Sequence, residues 1–124
     1  MEDLVNDIIA ANRRIKSVDG GARETTLEES GEFSDRTGAR FLLKCEHLQR
    51  TGSFKMRGAM NKVLCLDERD RKGGIIAASS GNHGIAVAQA AKVGGVEATI
   101  YLPESVSPLK YANIKRLGAN TVLV

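Results

Sequence analysis

The sequence predicts an α/β chain organised around a mostly parallel sheet, and three observations predict it. Short apolar runs at 75–78, 97–102 and 121–124 alternate with helical patterns at 81–92 and 107–117, the order that right-handed crossover units produce. The turns between them are short and marked by Gly94-Gly95 and Gly118. "IIAA" (75–78) has no polar alternation, which predicts a strand buried on both faces.

Taken in order, Leu4, Ile8, Ala11 and Ile15 recur at helical spacing behind Asp3 as N-cap, predicting an amphipathic helix over 3–16. Residues 17–32 are polar, contain glycine and read as an extended connector; "ARFLLKCE" (39–46) reads as a strand. From Lys55, the residues Met56, Ala59, Met60, Val63 and Leu64 form one apolar helix face. "DERDRKGG" (67–74) reads as a charged stop and turn. The helix in "GNHGIAVAQAAK" (81–92) is apolar nearly all round, hence buried. Ser107 and Pro108 supply an N-cap and a first helical residue, Lys115 and Arg116 suit the last turn, and Gly118 ends it. The parallel strand at 121–124 has no helix after it, which leaves a sheet face bare. The chain reads as cut off.

The 124 residues, 42% hydrophobic and 27% charged, have the size and composition of one soluble globular domain. The net charge is +3, but cations alternate with anions, aromatics are 4% and tryptophan is absent, which argues against a nucleic-acid interface. Cys45 and Cys65 form no CxxC pair and read as reduced, packed thiols of a cytoplasmic protein. No apolar run reaches membrane-spanning length, and the acidic opening "MEDLVNDII" shows no targeting segment. His47 and His83 have no nearby cluster of ligands, so no metal site is expected.

Two stretches carry chemistry. In "SSGNHG" (79–84) a strand runs into Ser79-Ser80-Gly81-Asn82 and a helix begins at once. Such turns, at the carboxyl ends of parallel strands, receive ligands, and free N–H groups with the helix dipole favour an anion. The same residues can also simply cap a helix. In "QRTGSFKMRG" (49–58) Lys55 sits among Arg50, Arg57 and Lys62, beside Phe54 and Met56. Like charges and desolvation would favour its neutral amine, a nucleophile toward carbonyls. It can equally be a solvated lysine at a helix start.

The combination decides. "TGSFKMRGA" (51–59) followed by "SSGNHG" resembles the fold-type II pyridoxal-phosphate enzymes, and within them the threonine/serine dehydratase and serine racemase family. "LLKCEHLQ" (42–49), "AVAQAAK" (86–92), "ATIYLPESVSP" (98–108) and "IKRLGA" (114–119) extend the resemblance over most of residues 22–124. It implies a partial parallel-sheet, three-layer sandwich of the tryptophan synthase β-like kind. Residues 1–45 would hold the N-terminal helix, connector and first strand of a large domain, and 46–124 most of a small α/β domain. Lys55 would carry pyridoxal phosphate covalently and move the substrate α-proton; Phe54 would pack on the cofactor ring; Asn82 would hydrogen-bond its phenolic oxygen. Ser79, Ser80, Gly81 and His83 would clasp the substrate carboxylate, with Ser80 matching the opposite-face acid or base of the racemases.

The implied activity is L-threonine/L-serine ammonia-lysis to a 2-oxo acid, with serine racemisation as the alternative. The substrate is a small amino acid, and a homodimer is implied for the full-length protein. The family's phosphate-gripping glycine loop, pyridine-nitrogen partner and cation ligands have no match here, so the chain looks like an N-terminal third. Thr26 stands where the family usually has proline, which loosens the connector. Two other readings stand beside this one: a non-catalytic relative acting by oligomerisation, and a phosphate- or nucleotide-binding module that uses only the helix at residue 82.

Overall fold

The computed structural model describes residues 2–124. Its elements run α1 (Glu2–Lys16), β1 (Leu27–Glu29), α2 (Gly31–Thr37), β2 (Leu42–Lys44), a single 3-10 turn (Glu46–Leu48), α3 (Lys55–Leu64), α4 (Glu68–Gly73), β3 (Ile75–Ala78), α5 (Asn82–Gly94), β4 (Ala98–Leu102), α6 (Pro108–Arg116) and β5 (Asn120–Leu123). The α/β class with a parallel sheet is observed: β3, β4 and β5 pair in parallel in that order, with Ile75 opposite Ala98 and Thr99 opposite Asn120. The two crossovers step the same way across the sheet, and α5 and α6, which touch each other, cover one of its faces, as right-handed connections do.

Burial follows from that. Ala98, Ile100 and Leu102 of the central strand are buried under the helices, whereas Tyr101 on the other face is exposed. β3 corrects the expectation of a strand buried on both faces, because Ile76 is 74% exposed. It is an edge strand whose outward face meets no helix, and the bare face expected at the end of the sheet extends across it.

The core lies between sheet and helices. α5 buries Gly84, Ala86, Val87, Ala88, Ala90 and Ala91. Small side chains on nearly every side let the sheet, α3 and α6 all approach it. α3 makes the most extensive helix contact with α5, through the predicted face of Met56, Ala59, Met60 and Val63. The two helices run in the same direction. A groove lined by Gly58, Ala59, Lys62 and Val63 of α3 and by His83 and Val87 of α5 runs between them. Their C-terminal ends meet where Arg71 donates to both Val63 O and Gly94 O and a Cβ on Gly94 would lie 2.5 Å from Val63 Cγ1. Their N-termini therefore open at one end, the end where β3 runs into α5.

The N-terminal part differs more from expectation. α1 starts at Glu2, so Asp3 lies inside its first turn. Only Ile15 of its apolar positions is buried; Leu4 and Ile8 are exposed. The connector at 17–32 contains β1 and the start of α2, and the strand expected over 39–46 shortens to Leu42–Lys44 before the 3-10 turn. β1 and β2 form an antiparallel pair, all of whose residues are exposed. The proline-free connector is nevertheless pinned, since Cys45 N donates to Thr26 O at 3.0 Å. The charged stretch at 67–74 is a short helix, α4, whose cap Asp67 accepts from Asp70 N. Both cysteines are unpaired; Cys45 is buried, whereas Cys65 is exposed rather than packed.

Candidate active site

The open end of the α3–α5 pair collects every site residue that the sequence singles out. Lys55 is the first residue of α3 and Asn82 the first of α5. Ser79, Ser80 and Gly81 form the turn between β3 and α5, which Ser79 Oγ tightens by accepting from Gly81 N at 3.2 Å. Phe54, Lys55, Ser80, Asn82 and His83 are all exposed, on a shelf with an open side. Lys55 Nζ stands 5.2 Å from the centroid of the Phe54 ring. Among the described residues, no hydrogen bond occupies the side chains of Lys55, Ser80, Asn82 or His83.

Glycines shape the shelf. A Cβ on Gly84 would sit 2.7 Å from Ser79 O and 3.3 Å from Ile100 Cγ2, so glycine is what lets α5 start this close to the strand end. A Cβ on Gly81 would meet nothing. The bare backbone there faces open space, where a ligand can come close.

The environment of Lys55 differs from the cationic cluster inferred from sequence. Arg57 turns to Glu46, donating from Nε to Oε2 at 2.9 Å and from Nη2 to Oε1 at 2.7 Å. Arg50 donates from Nε to Gly21 O at 2.7 Å. Both guanidinium groups serve the connector behind α3. Spacing in the chain does not reveal this, because Glu46 and Arg57 meet across a turn.

The profile of the pyridoxal-phosphate dependent enzymes matches residues 18–124. The chain belongs to that family. Among its curated relatives, L-threonine ammonia-lyase of Thermotoga maritima is 44% identical over 96% of this chain and 29% of that protein. Serine racemase of Dictyostelium discoideum is 37% identical over 93% of this chain and 35% of that one. The solved maize serine racemase superposes with a TM-score of 0.86 at 34% identity, covering 95% of this chain and 35% of its own. The fold is thus the fold-type II architecture, and the chain spans about a third of the length of these relatives.

The family depends on pyridoxal phosphate, and the shelf suits that group. A flat, anionic aldehyde needs an amine to condense with, an aromatic face to lie near, and donors for its oxygens. Lys55, Phe54 and the unoccupied Asn82 amide are groups of those three kinds on one shelf. Directly before them, the hydroxyls of Thr51 and Ser53 are buried without partners, and buried polar atoms in a native fold normally have one. No helix among the described residues is long and apolar enough to cross a membrane.

Missed by sequence reasoning is the network behind Lys55. Thr25 Oγ1 donates to Glu46 Oε1 at 2.6 Å, and Lys44 Nζ donates to Thr25 O at 2.6 Å. Gln49 brackets Arg23, accepting from its N–H at 2.8 Å and donating to its carbonyl at 3.0 Å. The Arg57 guanidinium holds the Glu46 carboxyl below its ordinary value of 4.5, against the opposing effect of burial, and the Thr25 hydroxyl adds to it. A carboxyl whose folded value is depressed contributes stability above its unfolded value and loses it as pH falls through the folded one. The thermal midpoint is therefore expected to lose this contribution below pH 4.5. Thermal melts of Glu46→Gln should show a shallower acid limb than the parent.

Proposed function

We propose that this chain is the cofactor-holding N-terminal part of a pyridoxal-phosphate-dependent L-threonine/L-serine ammonia-lyase, which releases a 2-oxo acid and ammonia. One observation carries the reading: parallel packing of α3 and α5 puts the Lys55 end and the Ser79–Asn82 turn at the same edge. The names of the relatives support it.

In this reading Lys55 would hold the cofactor through its amine, and the same amine would take the substrate α-proton. Phe54 would offer the ring an aromatic face, and the Asn82 amide would donate to its phenolic oxygen. Ser79, Ser80, Gly81 and His83 hold the substrate carboxylate, helped by the N-terminal N–H groups of α5. The bound cofactor supplies an electron sink for the pair left on the α-carbon. The β-hydroxyl would leave as water, and the enamine so formed would be hydrolysed by water to the 2-oxo acid and ammonia.

Residues 46–124 serve as the small domain. Residues 1–45 reach across to a larger one, for which the exposed Leu4, Ile8, Leu27 and Leu42 are the contact surface. The full-length protein works as a homodimer in a reducing, cytoplasmic setting that keeps Cys45 and Cys65 as thiols.

A second reading is favoured by the placement of Ser80. Its hydroxyl is exposed on the turn and unengaged, so it can return a proton from the face opposite Lys55 and racemise serine. Ser80→Ala is expected to leave 2-oxo acid release largely intact while lowering racemisation by about a hundredfold or more, read by chiral chromatography of serine. Equal loss of both rates would place Ser80 in a shared step.

The reading is tested by mixing the 124-residue chain with pyridoxal phosphate. A weak visible band with little or no pyruvate from serine is expected, since much of the relatives' length lies outside this chain. Steady pyruvate release would show that these residues alone complete the site; no band at any cofactor concentration would overturn the reading.

A further inference from the structure

We propose that Glu46 and Arg57 are positioning residues for Lys55, a clamp that fixes the first turn of α3 from behind. The inference rests on the reading of Lys55 as the cofactor lysine.

Helix starts leave N–H groups without intrahelical partners and are usually closed by a side-chain cap. α3 has none: its N-cap residue is Phe54, and the Ser53 hydroxyl bonds to nothing. A lysine on an uncapped first turn would move with that turn. Arg57 is two residues on, about 200° round the helix, so it leaves the side opposite Lys55. There it makes a two-pronged contact with Glu46 and also donates from Nη2 to Arg23 O at 3.2 Å and to Thr25 Oγ1 at 3.4 Å. The forked geometry resists rotation as well as translation.

Glu46 is itself fixed. It opens the 3-10 turn, where Leu48 N donates to Cys45 O at 3.0 Å and Gln49 N to Glu46 O at 3.1 Å. Thr25, which donates to it, is 6% exposed. The Arg57 and Glu46 side chains are 26% and 17% exposed, so water competes little for the contact. With Arg57 and Thr25 on its oxygens and Lys44 nearby, Glu46 has no role on the shelf itself. Its effect on chemistry passes through the aim of Lys55.

The test uses the 124-residue chain with pyridoxal phosphate as probe, borohydride to fix cofactor on the lysine, and mass spectrometry of the Lys55 peptide against time. Glu46→Gln is expected to slow fixation at Lys55 by about tenfold. Amide exchange should rise at Met56 and Arg57 while the α5 core stays protected. Thr25→Val, which removes the hydroxyl's bond to Glu46 and its longer one from Arg57 but no charge, should slow fixation about threefold, and the exchanged pair Glu46→Arg with Arg57→Glu should recover part of the loss. Fixation at the parent rate in Glu46→Gln and Thr25→Val, whatever their melting temperatures, would make the clamp structural only and overturn the inference. A parent chain that takes no cofactor at Lys55 overturns the functional reading and this inference together.

Discussion

Replacing Lys55 by alanine is expected to abolish the visible band that pyridoxal phosphate acquires on joining the chain, while leaving the fold intact. Lys55 is exposed, and its nearest recorded partner is the Phe54 ring at 5.2 Å. Removing an exposed side chain that anchors nothing in the core costs at most about 0.5 kcal/mol. Where the polypeptide turns serine or threonine over, the proposed roles of Lys55 as covalent attachment and α-proton acceptor predict that the same change lowers turnover by about a thousandfold or more. Absorption spectra and a denaturant titration on the same sample separate the two effects. A large fall in stability with the band retained would mean that Lys55 is a structural residue.

Gly84→Val should do the reverse, damaging the fold and the site together. A Cβ there overlaps Ser79 O at 2.7 Å and presses on Ile100 Cγ2 at 3.3 Å and Ile114 Cδ1 at 3.5 Å. Ile100 and Ile114 are fully buried, and overpacking such a position costs about 1–3 kcal/mol. The added bulk pushes the Ser79–Asn82 turn off the end of β3, so cofactor uptake should fall by more than lost stability explains. Gly94→Val provides the contrast. Its Cβ strikes Val63 Cγ1 at 2.5 Å, at the far end of the same helix pair. It should lower the denaturation midpoint while a chain that remains folded still takes cofactor at Lys55. Equal effects of the two substitutions on uptake would show that Gly84 acts through stability alone.

How much of this was legible depends on how local each signal is. α3 and α6 were readable because an apolar stripe at helical spacing, or a Ser-Pro start, lies within one turn of chain. The candidate site residues stand out in the sequence for the same reason, since Phe54-Lys55 and the Ser79–His83 loop are contiguous. α4 was missed because a six-residue helix of charged residues buries nothing and has no periodicity to show. β1 and β2 are three residues each with both faces exposed, so they lack the alternation that marks a half-buried strand. Ile76 misled in the other direction: apolar composition suggested a doubly covered strand, and only sheet order shows β3 at an edge. Two facts needed three dimensions. One is the shared direction of α3 and α5, which brings Lys55 and Asn82 to one end. The other is the pairing of Arg57 with Glu46, which removes Arg57 from the surroundings of Lys55.

The central claim is that one amine, at the head of α3, is placed to take the cofactor's aldehyde. The chain has eight lysines, and borohydride fixation followed by peptide mapping assigns the cofactor among them. The account predicts that the fixed mass falls on Lys55 and disappears from the map in Lys55→Ala. Fixation spread evenly over the lysines, or concentrated at Lys62 or Lys92, would contradict it.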